Sequence, residues 1–336
     1  MDLLPLLNEK NIVTLCEGMT PLIKSKEFEG TYGLSEVYLK DETRNPTGSF
    51  KDRPSSVAIS KAKELGVERA VVASSGNAAA SASAYAARAG IPCTVHIQRD
   101  ANPTKLLQAR AHGAEIVRVR GDYSAAYSAA FNQANKNNWC NITSTYINPY
   151  TYEGDKIIAY ELFNEMEKVP DYIVVPIGAG ALLYGIWKGF YELTLLGLST
   201  KIPKMVGVQP QGCAPIVDAF LQKKETVEPW NKKIKTIAHG ISDALTGYAC
   251  DGTQTLNTIR RSGGMGVKVS DKSILAAQKY LNQQEGIFTE PAGAAGMAGI
   301  IALNDNHLIT KKETVVVILT GHGLKNPDQF KKWFSP

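Results

Sequence analysis

The chain has 336 residues, 44% of them hydrophobic and 21% charged, a mixture that excludes a disordered chain and accommodates about two domains of roughly 100–200 residues. Its net charge of +5 is scattered in short runs such as Lys223-Lys224, Lys232-Lys233 and Lys331-Lys332, so no nucleic-acid partner is expected. No stretch reaches the ~18 apolar residues of a membrane span. The N-terminus MDLLPLLNEK, with Asp2, Pro5 and no basic start, predicts no signal peptide, no membrane partner and a cytoplasmic chain. Five widely spaced cysteines without a C-x-x-C pair predict neither a zinc site nor a disulfide framework, and no bound metal is expected.

From about residue 55 onward, strand and helix patterns alternate. Ala70–Ser74 reads as a buried strand and Ala78–Ala89 as an alanine-rich helix stopped by Gly90 and Pro92. Cys93–Ile97 is the next strand, followed by a helix over Pro103–His112, a strand over Glu115–Val119 and a helix over Tyr123–Asn135. The cycle resumes with a helix over Tyr152–Met166, a strand over Tyr172–Ile177, a helix over Leu182–Leu195 and a strand over Met205–Gln209. Helices over Ser273–Gln284 and Pro291–Leu303 precede a last strand over Thr314–Leu319. The aperiodic stretch 223–271, rich in Lys and Gly, is expected to form long loops. This repetition predicts an α/β protein with parallel sheets flanked by helices. In such sheets ligands bind beyond the carboxyl ends of the strands.

Three glycine-containing turns follow predicted strands: Ser74-Ser75-Gly76-Asn77, Gly178-Ala179-Gly180-Ala181-Leu182 and Thr320-Gly321-His322-Gly323. A strand-to-helix turn offers unpaired backbone N–H groups and the positive end of a helix dipole, and glycine lets the backbone approach an anion. Gly178–Leu182 is therefore a candidate phosphate cradle. It is no dinucleotide fingerprint, because Leu183 stands where G-x-G-x-x-G needs its third glycine, and no P-loop motif occurs.

A fourth turn reads Asn45-Pro46-Thr47-Gly48-Ser49-Phe50-Lys51-Asp52-Arg53. Asn-Pro and Thr-Gly are turn signals, and Pro54 suits the first turn of a helix. An amine at a helix start beside Arg53 is expected to give up its proton readily, as a lysine that condenses with carbonyls must. Asp52 and Arg53 have a plainer role available, anchoring the turn.

These stretches, with Glu290–Ala295 (E-P-A-G-A-A) and Leu319–Pro327 (L-T-G-H-G-L-K-N-P), occur in the order found in fold-type II pyridoxal-phosphate enzymes. Over residues 40–327 the set most closely resembles the threonine synthase family. The resemblance implies two domains, each with a parallel or mostly parallel sheet flanked by helices. The larger would hold 1–45 and 147–336 and the smaller 46–146, with pyridoxal 5'-phosphate in the cleft between them.

It implies Lys51 as the lysine that holds the cofactor covalently and moves protons on the substrate. Asn77 would hydrogen-bond the ring hydroxyl, Gly178, Ala179, Gly180, Ala181 and Leu182 would take the phosphate, and Thr320 would face the pyridine nitrogen. Ser75 with the backbone of Asn77 and Ala78 would take the carboxylate of an amino-acid substrate. It further implies a homodimer. The implied reaction is elimination or replacement at the β- or γ-carbon of an amino acid, with O-phosphohomoserine giving threonine and phosphate. The alternatives are a serine/threonine ammonia-lyase, a cysteine- or cysteate-synthase-like enzyme, or a non-catalytic cofactor-binding homologue or subunit.

The sequence departs from that family in places. The family's Asn-Ser-x-Asn-Pro-Tyr-Arg segment, whose polar side chains meet the substrate phosphate, is here Thr145-Tyr146-Ile147-Asn148-Pro149-Tyr150-Thr151. Thr151 thus stands at a substrate-binding position in place of an arginine, whose contact to phosphate is worth on the order of 1.5–3 kcal/mol. Ala78 replaces a threonine, Ala179 an asparagine, Pro54 a glycine and Asn326 an aspartate.

Overall fold

The computed structural model describes residues 3–34, 36–101, 103–327 and 330; Asp2 and the Lys331-Lys332 pair lie outside them. The chain divides into two compact units, one formed by the residues up to Gly18 with Asn45–Asp155, the other by Met19–Arg44 and the residues from Lys156 onward. In chain order, residues 19–44 supply β1 (Leu22–Lys24), α1 (Lys26–Tyr32) and β2 (Val37–Asp41). Residues 45–155 supply α2 (Asp52–Glu64), β3 (Ala70–Ala73), α3 (Asn77–Ala89), β4 (Cys93–Gln98), α4 (Leu107–Ala111), β5 (Glu115–Val119), α5 (Tyr123–Asn137), β6 (Cys140–Asn141) and α6 (Pro149–Asp155). Then follow α7 (Ile157–Glu165), β7 (Tyr172–Pro176), α8 (Ala181–Leu195), β8 (Lys204–Pro210), α9 (Pro215–Leu221), α10 (Ala249–Arg261), β9 (Met265–Val269), α11 (Asp271–Gln283), α12 (Pro291–Asp305) and β10 (Val315–Leu319).

The smaller unit holds a wholly parallel sheet in the order β5-β4-β3-β6. The larger holds the order β1-β2-β10-β7-β8-β9, parallel except for β1 on the edge. The α/β reading with mostly parallel sheets therefore stands. The central strands show why: β3 (AVVA), β7 (YIVVP) and β10 (VVVIL) are buried along their whole length, as continuous apolar strands covered by helices on both faces must be. In the smaller unit the chain leaves β3 toward β4 on one side while β6 lies on the other. In the larger it leaves β7 toward β8 while β10 lies on the other. Each sheet so has a point where its connections diverge, and turns 74–77 and 178–181 stand at those two points.

The N-terminal segment belongs to the smaller unit, not the larger as expected. Ser56 Oγ donates to Val13 O and Val13 N–H donates to Ser60 Oγ, both at 2.8 Å, and Leu7 and Asn8 N–H donate to Glu64 Oε2. These are hydrogen bonds to side chains of α2, which sequence periodicity does not reveal.

Three further expectations are corrected. The single helix over Tyr152–Met166 is two helices, α6 and α7, divided at Lys156 where the chain passes from one unit to the other. The stretch 223–271 is irregular only to Tyr248, after which α10 and β9 follow. α10 hid its core face because Thr255 and Thr258 share the buried side with Leu256 and Ile259. β9 is a short edge strand with an exposed Lys268. The helix over Pro103–His112 is a 3₁₀ turn at Pro103–Leu106 leading into the short α4.

Within the smaller unit, Gly154 of α6 lies on the start of α2. A Cβ there would overlap Arg53 O and the Arg53 carbonyl carbon. Because the obstacle is backbone, Gly154→Ala is expected to destabilise the protein by roughly 1–3 kcal/mol, read as a lowered urea midpoint; an unchanged midpoint would contradict this packing. Among the described residues no helix is long and apolar enough to cross a membrane.

Candidate active site

In the smaller unit, Lys51 is the residue at which α2 begins, and it is partly buried. Its turn is clasped by Asp52, a fully buried carboxylate that accepts from Thr47 N–H and Thr47 Oγ1, each at 2.6 Å. Gly48 takes φ +83 so that the turn can close, and Arg53 N–H donates to Phe50 O at 3.0 Å. Asp52 thus anchors the turn, and the Lys51 side chain has no capping duty on its helix. Its Nζ lies 4.2 Å from the centre of the Phe50 ring. Two residues earlier, the wholly buried Ser49 hydroxyl makes no hydrogen bond.

Helix α3 begins at Asn77 behind Gly76, and no side chain caps it. Ser75 and Asn77 are partly buried and Ala78 is buried. The backbone N–H groups of the first turn of α3 have no carbonyl partner within the helix, which suits a carboxylate. Ser81 Oγ donates to Ser55 Oγ at 2.8 Å. Each serine lies about one turn into its helix, so the starts of α2 and α3 are side by side. The turn after β3 is tied to that after β6 by Ala73 N–H donating to Thr143 Oγ1 at 2.9 Å. Thr151 is 2% exposed, and its hydroxyl donates to Asn148 O at 2.7 Å. The position that carries an arginine in the family therefore satisfies its own helix start. Tyr146 lies 6.0 Å from the Tyr152 ring.

In the larger unit, the cradle follows β7. Gly180 takes φ +96, a left-handed conformation, and precedes α8 with no side-chain cap. Ala179, Ala181 and Leu182 are buried. The loop carbonyls are turned away and held. Gln209 Nε2 donates to Gly178 O at 3.3 Å, and Thr255 Oγ1 donates to Ala179 O at 2.5 Å. The amides of Ala181, Leu182 and Leu183 are left at a buried helix start without intrahelical partners. Thr320 follows β10 directly and is 4% exposed. Carrying the Val317↔Val174 register forward sets Thr320 level with Ile177, next to the cradle on the neighbouring strand.

His322 serves the local turn: its Nδ1 accepts from Leu324 N–H and its ring meets Phe288 edge-on at 5.5 Å. Partial burial holds its pKa below the ordinary imidazole value.

Three features here were missed from sequence. Gln209 and Thr255 brace the cradle. Residues 239–243 also run beside it, with Ile241 Cα and Asp243 Cβ within 3.8 Å of a Cβ built at Gly178. A buried glutamine ending an apolar strand was a usable signal for Gln209. Thr255 and Asp243 fall in the stretch read as loop and carried none.

These residues fit pyridoxal phosphate. An uncapped, buried helix start lined by Gly and Ala offers donors without acceptors, as a phosphate dianion requires. A buried neutral hydroxyl at Thr320 stands on the adjacent strand end, and a lysine without a capping role stands at position 51.

Residues 13–321 match the family model described as "Pyridoxal-phosphate dependent enzyme". The chain is similar to threonine synthase of Methanocaldococcus jannaschii, 40% identical over 98% of this chain and 80% of that protein. It is also similar to threonine synthase of Methanosarcina acetivorans, 40% identical over 95% of this chain and 78% of that protein. Among solved structures it resembles serine racemase from maize with a TM-score of 0.78 and 22% identity, covering 94% of this chain and 91% of that one, a likeness of fold. With a family match across most of its length and relatives this similar, the chain belongs to the pyridoxal-phosphate dependent enzymes, in the part of that family occupied by the threonine synthases.

Proposed function

We propose that the protein is a threonine synthase, converting O-phosphohomoserine and water to threonine and phosphate. The observation that carries this is 40% identity to threonine synthases over nearly the whole chain; the lysine at the start of α2, the uncapped start of α3 and the glycine turn before α8 support it. Lys51 and residues 178–182 would each hold the cofactor, the first through its amine and the second through backbone N–H groups.

Bound pyridoxal phosphate supplies an electrophilic aldehyde and a ring that takes up electron density. Lys51 Nζ would anchor it and carry protons between the substrate carbons. Ser75 Oγ and the N–H groups of Asn77 and Ala78 would fix the substrate carboxylate, and the Asn77 amide would bond the ring hydroxyl. Thr320 Oγ1 would offer the ring nitrogen a neutral hydrogen bond. A hydroxyl does not hold a proton there as a carboxylate does, so the arrangement suits expulsion of a β- or γ-substituent over transamination.

One observation favours a second reading. Thr151 replaces the family's arginine and donates to Asn148 O, so its hydroxyl is not directed to a substrate phosphate. A serine/threonine ammonia-lyase, whose substrates carry no phosphate, needs no such contact. The test is product analysis of the purified holoenzyme. Phosphate and threonine are expected from O-phosphohomoserine. Ammonia and a 2-oxo acid from serine or threonine, with no phosphate released, would replace the first reading with the second. Bound cofactor without turnover of any amino acid would indicate a non-catalytic homologue. The same reading makes the protein a cytoplasmic homodimer, in keeping with its family. Light scattering at the mass of a single chain would remove the dimer.

A further inference from the structure

We propose that Gln209 and Thr255 are positioning residues that set the phosphate cradle from behind; this rests on residues 178–182 holding the cofactor phosphate. A strand-to-helix turn exposes carbonyl oxygens as well as N–H groups. An oxygen swinging toward an anion repels it as strongly as an amide attracts it. In this loop the two carbonyls preceding the helix start are each bound by a fully buried side chain. Gln209 Nε2 takes Gly178 O at 3.3 Å, and Thr255 Oγ1 takes Ala179 O at 2.5 Å.

Both braces are themselves fixed. Gln209 Oε1 accepts from Ile216 and Val217 N–H, each at 3.0 Å, in the first turn of α9, so its amide cannot rotate without losing two bonds. Thr255 sits in α10, also within 3.3 Å of Asp251 O, and fills the space a Cβ at Gly180 would need. Two helices are thereby coupled to one loop, with the Gly178 and Ala179 carbonyls held back. The arrangement is pre-organised before any anion arrives, so little reorganisation opposes binding.

The test compares pyridoxal phosphate with pyridoxal, which lacks only the phosphate, by titrating each into apoenzyme and following tryptophan fluorescence. The readout is the ratio of the two dissociation constants, because a general loss of structure weakens both ligands while the braces act on the phosphate alone. Wild-type protein is expected to bind the phosphorylated form far more tightly. Thr255→Val, which keeps the shape and removes the donor, is expected to reduce that preference about tenfold, the scale of one lost hydrogen bond near a charge. Thr255→Ser is expected to retain it. Gln209→Glu keeps the acceptor for α9 but sets a carboxylate against Gly178 O, and is expected to reduce the preference toward high pH and restore it as the side chain protonates.

A wild-type preference left intact in Thr255→Val and in Gln209→Glu at every pH overturns the braces while the cradle stands. Equal binding of the two ligands by wild type overturns the cradle and the braces together.

Discussion

Lys51→Ala is expected to lower kcat/KM by at least ~10³-fold, the scale lost with an essential acid–base and covalent group, while the thermal midpoint stays close to wild type. The second half of that expectation comes from the turn itself. Asp52, not Lys51, closes it, through two bonds to Thr47, and the backbone bond Arg53 N–H to Phe50 O does not involve the lysine side chain. Truncation removes the amine beside the Phe50 ring and leaves the Asp52 clasp on Thr47 in place. Borohydride treatment of the wild-type holoenzyme followed by peptide mapping supplies the direct check. A phosphopyridoxyl group on the peptide containing Lys51 is expected, and on another lysine it would move the active amine elsewhere. Loss of folded protein in Lys51→Ala would instead make the residue structural. The contrasting variant is Asp52→Asn, which is expected to weaken the clasp and loosen the turn without removing the amine.

The larger outline was legible because parallel strands buried on both faces have to be continuous apolar runs, and Ala70–Ala73, Tyr172–Pro176 and Val315–Leu319 are such runs. The turns after them carry glycine directly behind the strand ends, and their positions were legible too. What sequence did not disclose was placement by side-chain hydrogen bonds. Val13 joins the smaller unit through Ser56 and Ser60, and a serine pair forty residues away leaves no periodic trace. Helix α10 buries threonines where a pattern reader seeks leucines, so Thr255, which holds the cradle, was hidden in apparent loop. The break at Lys156 was invisible for a related reason. α6 and α7 are both acceptable helix sequence, and the division comes from Gly154 lying on the Arg53 carbonyl while Ala159 lies against Gly189 in the other unit. The expectation for Thr151 came from its place in the family's segment, where it replaces an arginine. Its hydroxyl can satisfy the Asn148 carbonyl, which the longer side chain of an arginine does not do in the same way.

Gly180→Ala is expected to weaken pyridoxal phosphate binding by about 10²-fold, whereas Gly178→Ala, two residues away in the same cradle, is expected to change it little. Gly180 is at φ +96, where an L side chain is strained by roughly 1–2 kcal/mol. A Cβ there would overlap Thr255 Cγ2 and Oγ1, adding roughly 1–3 kcal/mol unless the loop moves. Relief by movement carries Ala179 O off the Thr255 hydroxyl and turns the first amides of α8 away from the phosphate, so strain in the free protein appears as lost affinity. Together these costs correspond to about two powers of ten. At Gly178 the φ is not left-handed, and a Cβ would rest 3.5 Å from Asp243 Cβ, an ordinary contact. Titration of apoenzyme measures both variants. An equal loss in the two would mean that any added methyl harms the loop, and the argument from the Gly180 conformation would fail. Gly180→Ala in a Thr255→Ser background, which removes the overlapping Cγ2 methyl, is expected to recover part of the affinity. No recovery would place the cost in the backbone angle alone.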